Sequence, residues 1–141
     1  MTKYKILVAD DDESIRQIIV KNLQMMEFIV LAVKNGQEAV SAEEENRPDL
    51  VILDVEMPVM NGFEACKIIR EKRKGIDYIP IIFLSGLLTE GIVIKGLESG
   101  ADDYVRKPFG SLELLTRVKN LLKMKDFITK VDLVENMFLT L

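Results

Sequence analysis

Five short apolar runs, each followed by a longer amphipathic stretch, constrain the fold of this chain more than any other feature. The runs are Lys5–Ala9 (KILVA), Phe28–Val33 (FIVLAV), Leu50–Leu53 (LVIL), Ile79–Leu84 (IPIIFL) and the weaker Asp103–Arg106 (DYVR). They are four to six residues long, favour β-branched residues, and are mostly apolar throughout rather than alternating. Strands that read this way are covered on both faces, as in a parallel sheet. Pro80 stands near the start of its run, where a missing N–H is tolerable.

The stretches between the runs carry helical periodicity. Glu13–Glu27 sets Ile15, Ile18, Ile19, Leu23 and Met26 on one side, and the shorter Gln37–Asn46 ends in the acidic run Glu43-Glu44-Glu45. Gly62–Lys74 carries Phe63, Ala65, Ile68 and Ile69. Its basic tail, Arg70, Lys72, Arg73 and Lys74, suits a helix C-terminus and reads as a solvated helix end. Thr89–Ser99 is the weakest helix, because Gly91 and Gly96 each cost roughly 1 kcal/mol relative to alanine. Ser111 opens the fifth helix. Strand–helix alternation repeated five times predicts an α/β fold, an open parallel sheet with right-handed crossovers.

Composition narrows the chemistry. The 141 residues are 48% hydrophobic and 30% charged, enough for one sizeable core and incompatible with disorder over most of the length. The net charge is −4, so nucleic-acid binding through a basic surface is excluded. The absence of histidine excludes a histidine base, a histidine metal ligand and a phosphohistidine carrier. The single cysteine, Cys66, excludes an internal disulfide framework and reads as a small packed residue, while the seven methionines, Met57 and Met60 aside, read as core filling. No run of eighteen apolar residues predicts a membrane span, and Met1–Lys5 leads into the first strand without a secretory signal. The expected location is the cytoplasm.

In an open α/β sheet the chemistry lies at the carboxyl ends of the strands, near a topological switch point. The first strand here leads into Asp10-Asp11-Asp12-Glu13, the third into Asp54, the fourth into Ser85-Gly86 and the fifth into Lys107-Pro108. Asp12 and Glu13 suit a helix N-cap and first turn. The remaining carboxylates repel: two charges ~4 Å apart cost ~4 kcal/mol at an effective dielectric of 20. Oxygen-only ligands favour a hard ion such as Mg²⁺, which takes one or two carboxylates. A free carboxylate can then attack a phosphoryl group, with a lysine and a hydroxyl stabilising its oxygens.

The segments ILVADDDESIR, LVILDVEMPVMNG, IIFLSG and GADDYVRKPF together resemble the receiver domains of two-component response regulators. The resemblance spans about residues 4–123 and implies a three-layer, doubly wound, flavodoxin-like (βα)5 fold with strand order 2-1-3-4-5. It implies that Asp54 is the phosphoacceptor and that Mg²⁺ is held by Asp11, Asp54, the backbone carbonyl of Glu56 and, through water, Asp10. Lys107 would contact the phosphoryl group, with a cis peptide before Pro108. Ser85 would be the switch hydroxyl, Tyr104 the aromatic that moves with it, and Gly62 the glycine of the loop after the acceptor. The implied phosphodonor is a sensor histidine kinase. The implied response is a change of the face made by the fourth helix, fifth strand and fifth helix. Three departures stand out: Gly86 where alanine is more usual, the extra acid Asp12, and the charge of Glu56 near the phosphoryl entrance.

Two other classes fit less well. A phosphatase of the haloacid dehalogenase type wants Asp-x-Asp, whereas Asp54-Val55-Glu56 offers a glutamate, and the length leaves no room for a cap domain. A flavin-binding module needs a Ser/Thr/Gly-rich phosphate loop, where Asp10-Asp11-Asp12 would repel phosphate. The expected activity is that of a phosphorylation switch rather than a turnover enzyme.

Residues 124–141 read as a helical extension beyond a receiver at 1–123. Phe127, Val131, Val134, Phe138 and Leu141 are spaced 4, 3, 4, 3, a heptad seam. The seam predicts a homodimer through this helix, alternatively through the fourth-helix, fifth-strand, fifth-helix face, or a helix leading into an output domain. DLVENMFLTL weakly resembles the linker helix before HD-type cyclic-dinucleotide phosphodiesterase domains, and no helix-turn-helix segment for a DNA-binding output is present. The pattern stops mid-heptad, which predicts that the natural chain continues.

Overall fold

The computed structural model describes residues 3–74 and 78–139. The elements alternate as expected: β1 (Lys5–Ala9), α1 (Glu13–Met25), β2 (Ile29–Val33), α2 (Gly36–Asn46), β3 (Leu50–Asp54), α3 (Gly62–Lys72), β4 (Ile81–Ser85), α4 (Glu90–Ser99), β5 (Asp103–Arg106) and α5 (Ser111–Leu139). All strands pair in parallel in the order β2-β1-β3-β4-β5. This is the flavodoxin-like order expected from the sequence.

The strands bury both faces. Leu7, Ala9, Val51, Leu53, Ile81 and Phe83 point into a core shared with α2 and α3, while Ile6, Val8, Leu50, Ile52, Ile82 and Leu84 point into a second core with α1 and α5. A period of two that is apolar on both phases explains why these strands show no polar alternation. The edge strand β2 is only half-buried, with Ile29 exposed.

Local chemistry sets the helix starts. Asp12, Asn35, Asn61 and Thr89 are N-caps of α1 to α4, each accepting a backbone N–H through its side chain. Asp12 accepts from the Ile15 N–H at 3.1 Å, the capping role read from the sequence. The strand β4 begins at Ile81 rather than Ile79, because proline has no N–H to give. The Pro80 carbonyl still accepts from the Val51 N–H at 3.0 Å. Cys66 is fully buried, its thiol donates to the Ser99 carbonyl, and burial pushes its pKa up to about 11.

The basic tail of α3 is a solvated helix end only at its lysines, not at its arginines. Arg73 is buried and pairs with buried Glu43 of α2 at 2.9 Å. Arg70 donates to the carbonyls of Gly100 and Ile79 and pairs with Asp102 at 2.7 Å. The two lysines behave as expected: Lys74 is exposed, and exposed Lys72 reaches Glu44 at 3.0 Å. The acidic run closing α2 and the basic tail of α3 thus face each other, and charge pairing draws them in.

A buried ion pair stands because both partners are present; removing one strands the other. Arg73→Met alone should therefore lower stability by ~3–5 kcal/mol in urea unfolding. Glu43→Leu combined with Arg73→Met should recover most of that loss. Equal losses in the single and double variants would show that Arg73 acts through packing rather than through Glu43.

Candidate functional site

The strand order makes β1 and β3 neighbours, so the acid pair after β1 lies beside Asp54, the last residue of β3, at the switch point. Asp10 is fully buried, Asp54 is 5% exposed and Asp11 is open to solvent. One carboxylate oxygen from each of the three lies within 4.8 Å of the others. Lys107, following β5, reaches back across β4. Its ammonium lies 3.0 Å from Asp10 Oδ2 and 3.0 Å from Asp54 Oδ2. The remaining oxygens are held by the backbone: the Asp12 N–H donates to Asp10 Oδ1 and the Glu56 N–H to Asp54 Oδ1.

Burial and the Asp10 charge push the Asp54 carboxyl up to about 7, against the pull of Lys107 and the Glu56 N–H. Burial disfavours the Lys107 ammonium, but its bonds to Asp10 and Asp54 outweigh that and hold its pKa above the usual lysine value. Asp11, Asp54, Ser85 and Lys107 line an open cleft of about 800 Å³, with Phe63 and Lys95 on its wall. Three carboxylates facing one ammonium leave an excess of negative charge, and every free donor is oxygen. The residues therefore fit a hard divalent cation such as Mg²⁺.

Not every residue singled out in the sequence points at Asp54. The Ser85 hydroxyl lies in the cleft but bonds within its own loop, donating to the Leu87 carbonyl at 2.6 Å and accepting the Leu87 N–H. The Tyr104 hydroxyl turns toward α4, within hydrogen-bond distance of the Ile92 carbonyl at 3.0 Å and the Val93 carbonyl at 3.2 Å. Its ring packs edge-on against Phe83, which packs edge-on against Phe63 on the cleft wall. The Lys107–Pro108 peptide is cis. Gly62 packs against the end of β3: a Cβ there would stand 2.3 Å from the Asp54 carbonyl oxygen.

Two features of the site escaped sequence reasoning. Lys95 lines the cleft with its ammonium over the Phe63 ring, and a lone lysine in a helix carries no signal of that kind. Gly96, which reads as a helix weakener, is buried and serves as a notch. A Cβ at this position would lie 1.1 Å from the Tyr104 hydroxyl oxygen. By contrast, Gly91 faces open space.

A doubly wound sheet with a strand-end aspartate, an acid pair and a bridging lysine at one edge has the architecture of CheY-like receiver domains. The family model for the response regulator receiver domain matches residues 6–119, and the chain belongs to that family. It is 43% identical over 122 residues to a protein named "Probable transcriptional regulator ycf27" from Guillardia theta, a match covering 86% of this chain and 46% of that protein. It is 39% identical over 122 residues to "Alkaline phosphatase synthesis transcriptional regulatory protein PhoP" of Bacillus subtilis, covering 86% and 50%. The chain thus spans about half the length of the curated relatives it matches. Among solved structures, the BeF3-activated DrrB receiver domain superimposes with a TM-score of 0.77 at 37% identity, covering 86% of this chain and 99% of that one. The chemotaxis protein CheY4 of Vibrio cholerae gives 0.79 at 33%, covering 84% and 98%. The chain is therefore a response regulator receiver domain of two-component signalling.

Two outcomes follow from the site. Gly96→Ala should destabilise the native chain by ~1–3 kcal/mol through overpacking against Tyr104, although alanine is the better helix former. In a Tyr104→Ala background the same change should stabilise by ~1 kcal/mol. Urea unfolding of the four proteins reads the sign reversal, and an unchanged sign would refute the notch.

The second outcome is a pH dependence. The folded Asp54 carboxyl titrates near 7 and the unfolded one near 3.8, so between these values the folded state binds more protons. With a chelator present, stability should fall as pH rises from about 4 to about 7 and then level off. Asp54→Asn should remove that component, gaining on the native chain between about pH 4 and about pH 7. A constant difference between the two proteins across that window would contradict the shift.

Proposed function

We propose that this domain accepts one phosphoryl group on Asp54 from a phosphohistidine of a sensor histidine kinase, in a Mg²⁺-dependent reaction in the cytoplasm. The observation that carries the reading is the contact of one ammonium with both Asp10 and Asp54 at 3.0 Å, on the wall of an open cleft. An Asp54 oxygen attacks phosphorus, forming the P–O bond as the donor P–N bond breaks and the imidazole nitrogen keeps the electron pair. The attacking carboxylate must be ionised, and Lys107 and the Glu56 N–H favour that form. Once attached, the phosphoryl group would pair through its oxygens with Lys107.

Asp11, Asp54 and the Glu56 carbonyl would hold Mg²⁺, with Asp10 acting through water. When bound, the ion would neutralise charge on the acceptor and phosphoryl oxygens. Slow self-dephosphorylation would reset the domain without making it a turnover enzyme.

The signal leaves through the α4-β5-α5 face. Ser85 would exchange its loop partner Leu87 for a phosphoryl oxygen, and Tyr104, seated against α4, would move with it. For the output, the names of the curated relatives favour transcriptional control over a cyclic-dinucleotide phosphodiesterase.

Intact mass after incubation with Mg²⁺ and acetyl phosphate tests the reaction. One phosphoryl adduct should form in the native chain, require Mg²⁺, and be absent from Asp54→Asn. An adduct of equal yield in Asp54→Asn, or none in the native chain, would overturn the reading.

A further inference from the structure

Beyond Leu122 the helix α5 leaves the core. From Val131 to Leu139 every residue is exposed. Its own domain still grips it at two adjacent positions: Lys125 pairs with Asp49 at 3.0 Å, and the Tyr4 hydroxyl donates to Asp126. Five of the exposed apolar residues form a heptad seam, while exposed Leu133, Met137 and Leu139 fall at c, g and b outside it. Met124, Val131 and Phe138 fall at a, and Phe127 and Val134 at d. They are 44%, 38%, 73%, 66% and 50% exposed. Lys125 and Asp126 fall at b and c, on the opposite side. The domain therefore holds the helix by its back and leaves the a/d seam facing away. Leu141, which extends the seam in the sequence, lies outside the described residues.

We propose that this seam pairs with the same seam of a second copy of the chain, as a parallel, in-register two-stranded coiled coil. The flanking charges select the partner and the direction. Lys123 and Lys130 are at g, and Glu135 is at e. In a parallel pair each g residue faces the e residue five positions on in the other strand, so Lys130 meets Glu135 of the other copy, twice by symmetry. The reversed pairing brings g against g and sets lysine against lysine. Val131, β-branched at a central a position, suits two strands. Because b and c face outward, the two domain bodies sit outside the coil and do not collide with it. The inference stands apart from the phosphoryl chemistry of Asp54 and holds whether or not that site accepts a phosphoryl group.

Disulfide trapping in the full chain tests it. Val131→Cys should form an interchain disulfide under mild oxidation, because in-register a positions bring the two Cα atoms within bridging distance. Leu133→Cys, more exposed than Val131 but at c, should stay reduced, and the native chain should give no bridge through buried Cys66. Sedimentation equilibrium should show a monomer–dimer equilibrium that Val131→Asp with Val134→Asp shifts to monomer. All these positions are exposed, so the variants should fold as the native chain does. A monomer at every concentration would overturn the proposal. So would a dimer that the double aspartate variant leaves intact, or equal trapping at Val131→Cys and Leu133→Cys.

Discussion

One ammonium between two buried carboxylates sets the terms for the rest of this structure. Lys107 touches both Asp10 and Asp54, and each of those residues is almost fully out of water. Removing a charge from water costs several kcal/mol, and a lone lysine cannot match two acids and a nearby third. The fold meets part of that cost with backbone N–H groups at Asp12 and Glu56, and part by leaving a carboxyl partly protonated near neutral pH. What remains is an unmet demand for positive charge at one sheet edge. That demand is the physical basis for taking up a cation, and the residues that create it come from the ends of strands 1, 3 and 5, which this strand order brings together.

Much of this was legible in the sequence, for identifiable reasons. The strands were visible because both of their phases are apolar, and the site was visible because acids and a lysine recur where apolar runs end. The failures have a common cause. Arg70 and Arg73 read as solvated because helix-end cations usually are. Their fate depends on Glu43, Asp102 and carbonyls that sequence spacing does not bring near. Gly96 read as a weakness because its partner, Tyr104, lies on the next strand. Ser85 lines the cleft, but its hydroxyl direction depends on the loop at Leu87. Periodicity reports what an element does along its own length. Pairings between elements, and rotamers, lie outside its reach.

The same contacts connect the cleft to the surface. Phe63 on the cleft wall stacks edge-on with Phe83, and Phe83 with Tyr104, with ring centroids 5.2 and 5.6 Å apart. Tyr104 then meets α4 at two carbonyls and fills the space that a side chain at position 96 would need. A packed aromatic row of this kind transmits displacement because interiors are dense and rings do not compress. The α4 backbone is thus in direct contact with a residue whose ring belongs to the core behind Asp54, which places any rearrangement of the cleft one side chain away from the outer face.

The helix α5 extends that connection beyond the domain. It begins four residues after Lys107, packs Leu114, Val118, Leu121 and Leu122 into the second core, and is still tied to the starts of β1 and β3 through Tyr4 and Asp49. A continuous helix of 29 residues is about 44 Å long at 1.5 Å per residue, roughly half of it clear of the body. Such a rod is stiff along its length, so a small tilt imposed where it leaves β5 becomes a larger displacement at its far end. If the rod is paired there with its copy, a tilt in one domain is felt by the other without any contact between the two cores. The clasp of Tyr4 and Asp49 marks where the free part of the helix begins. Its position on the back of the helix leaves the seam open.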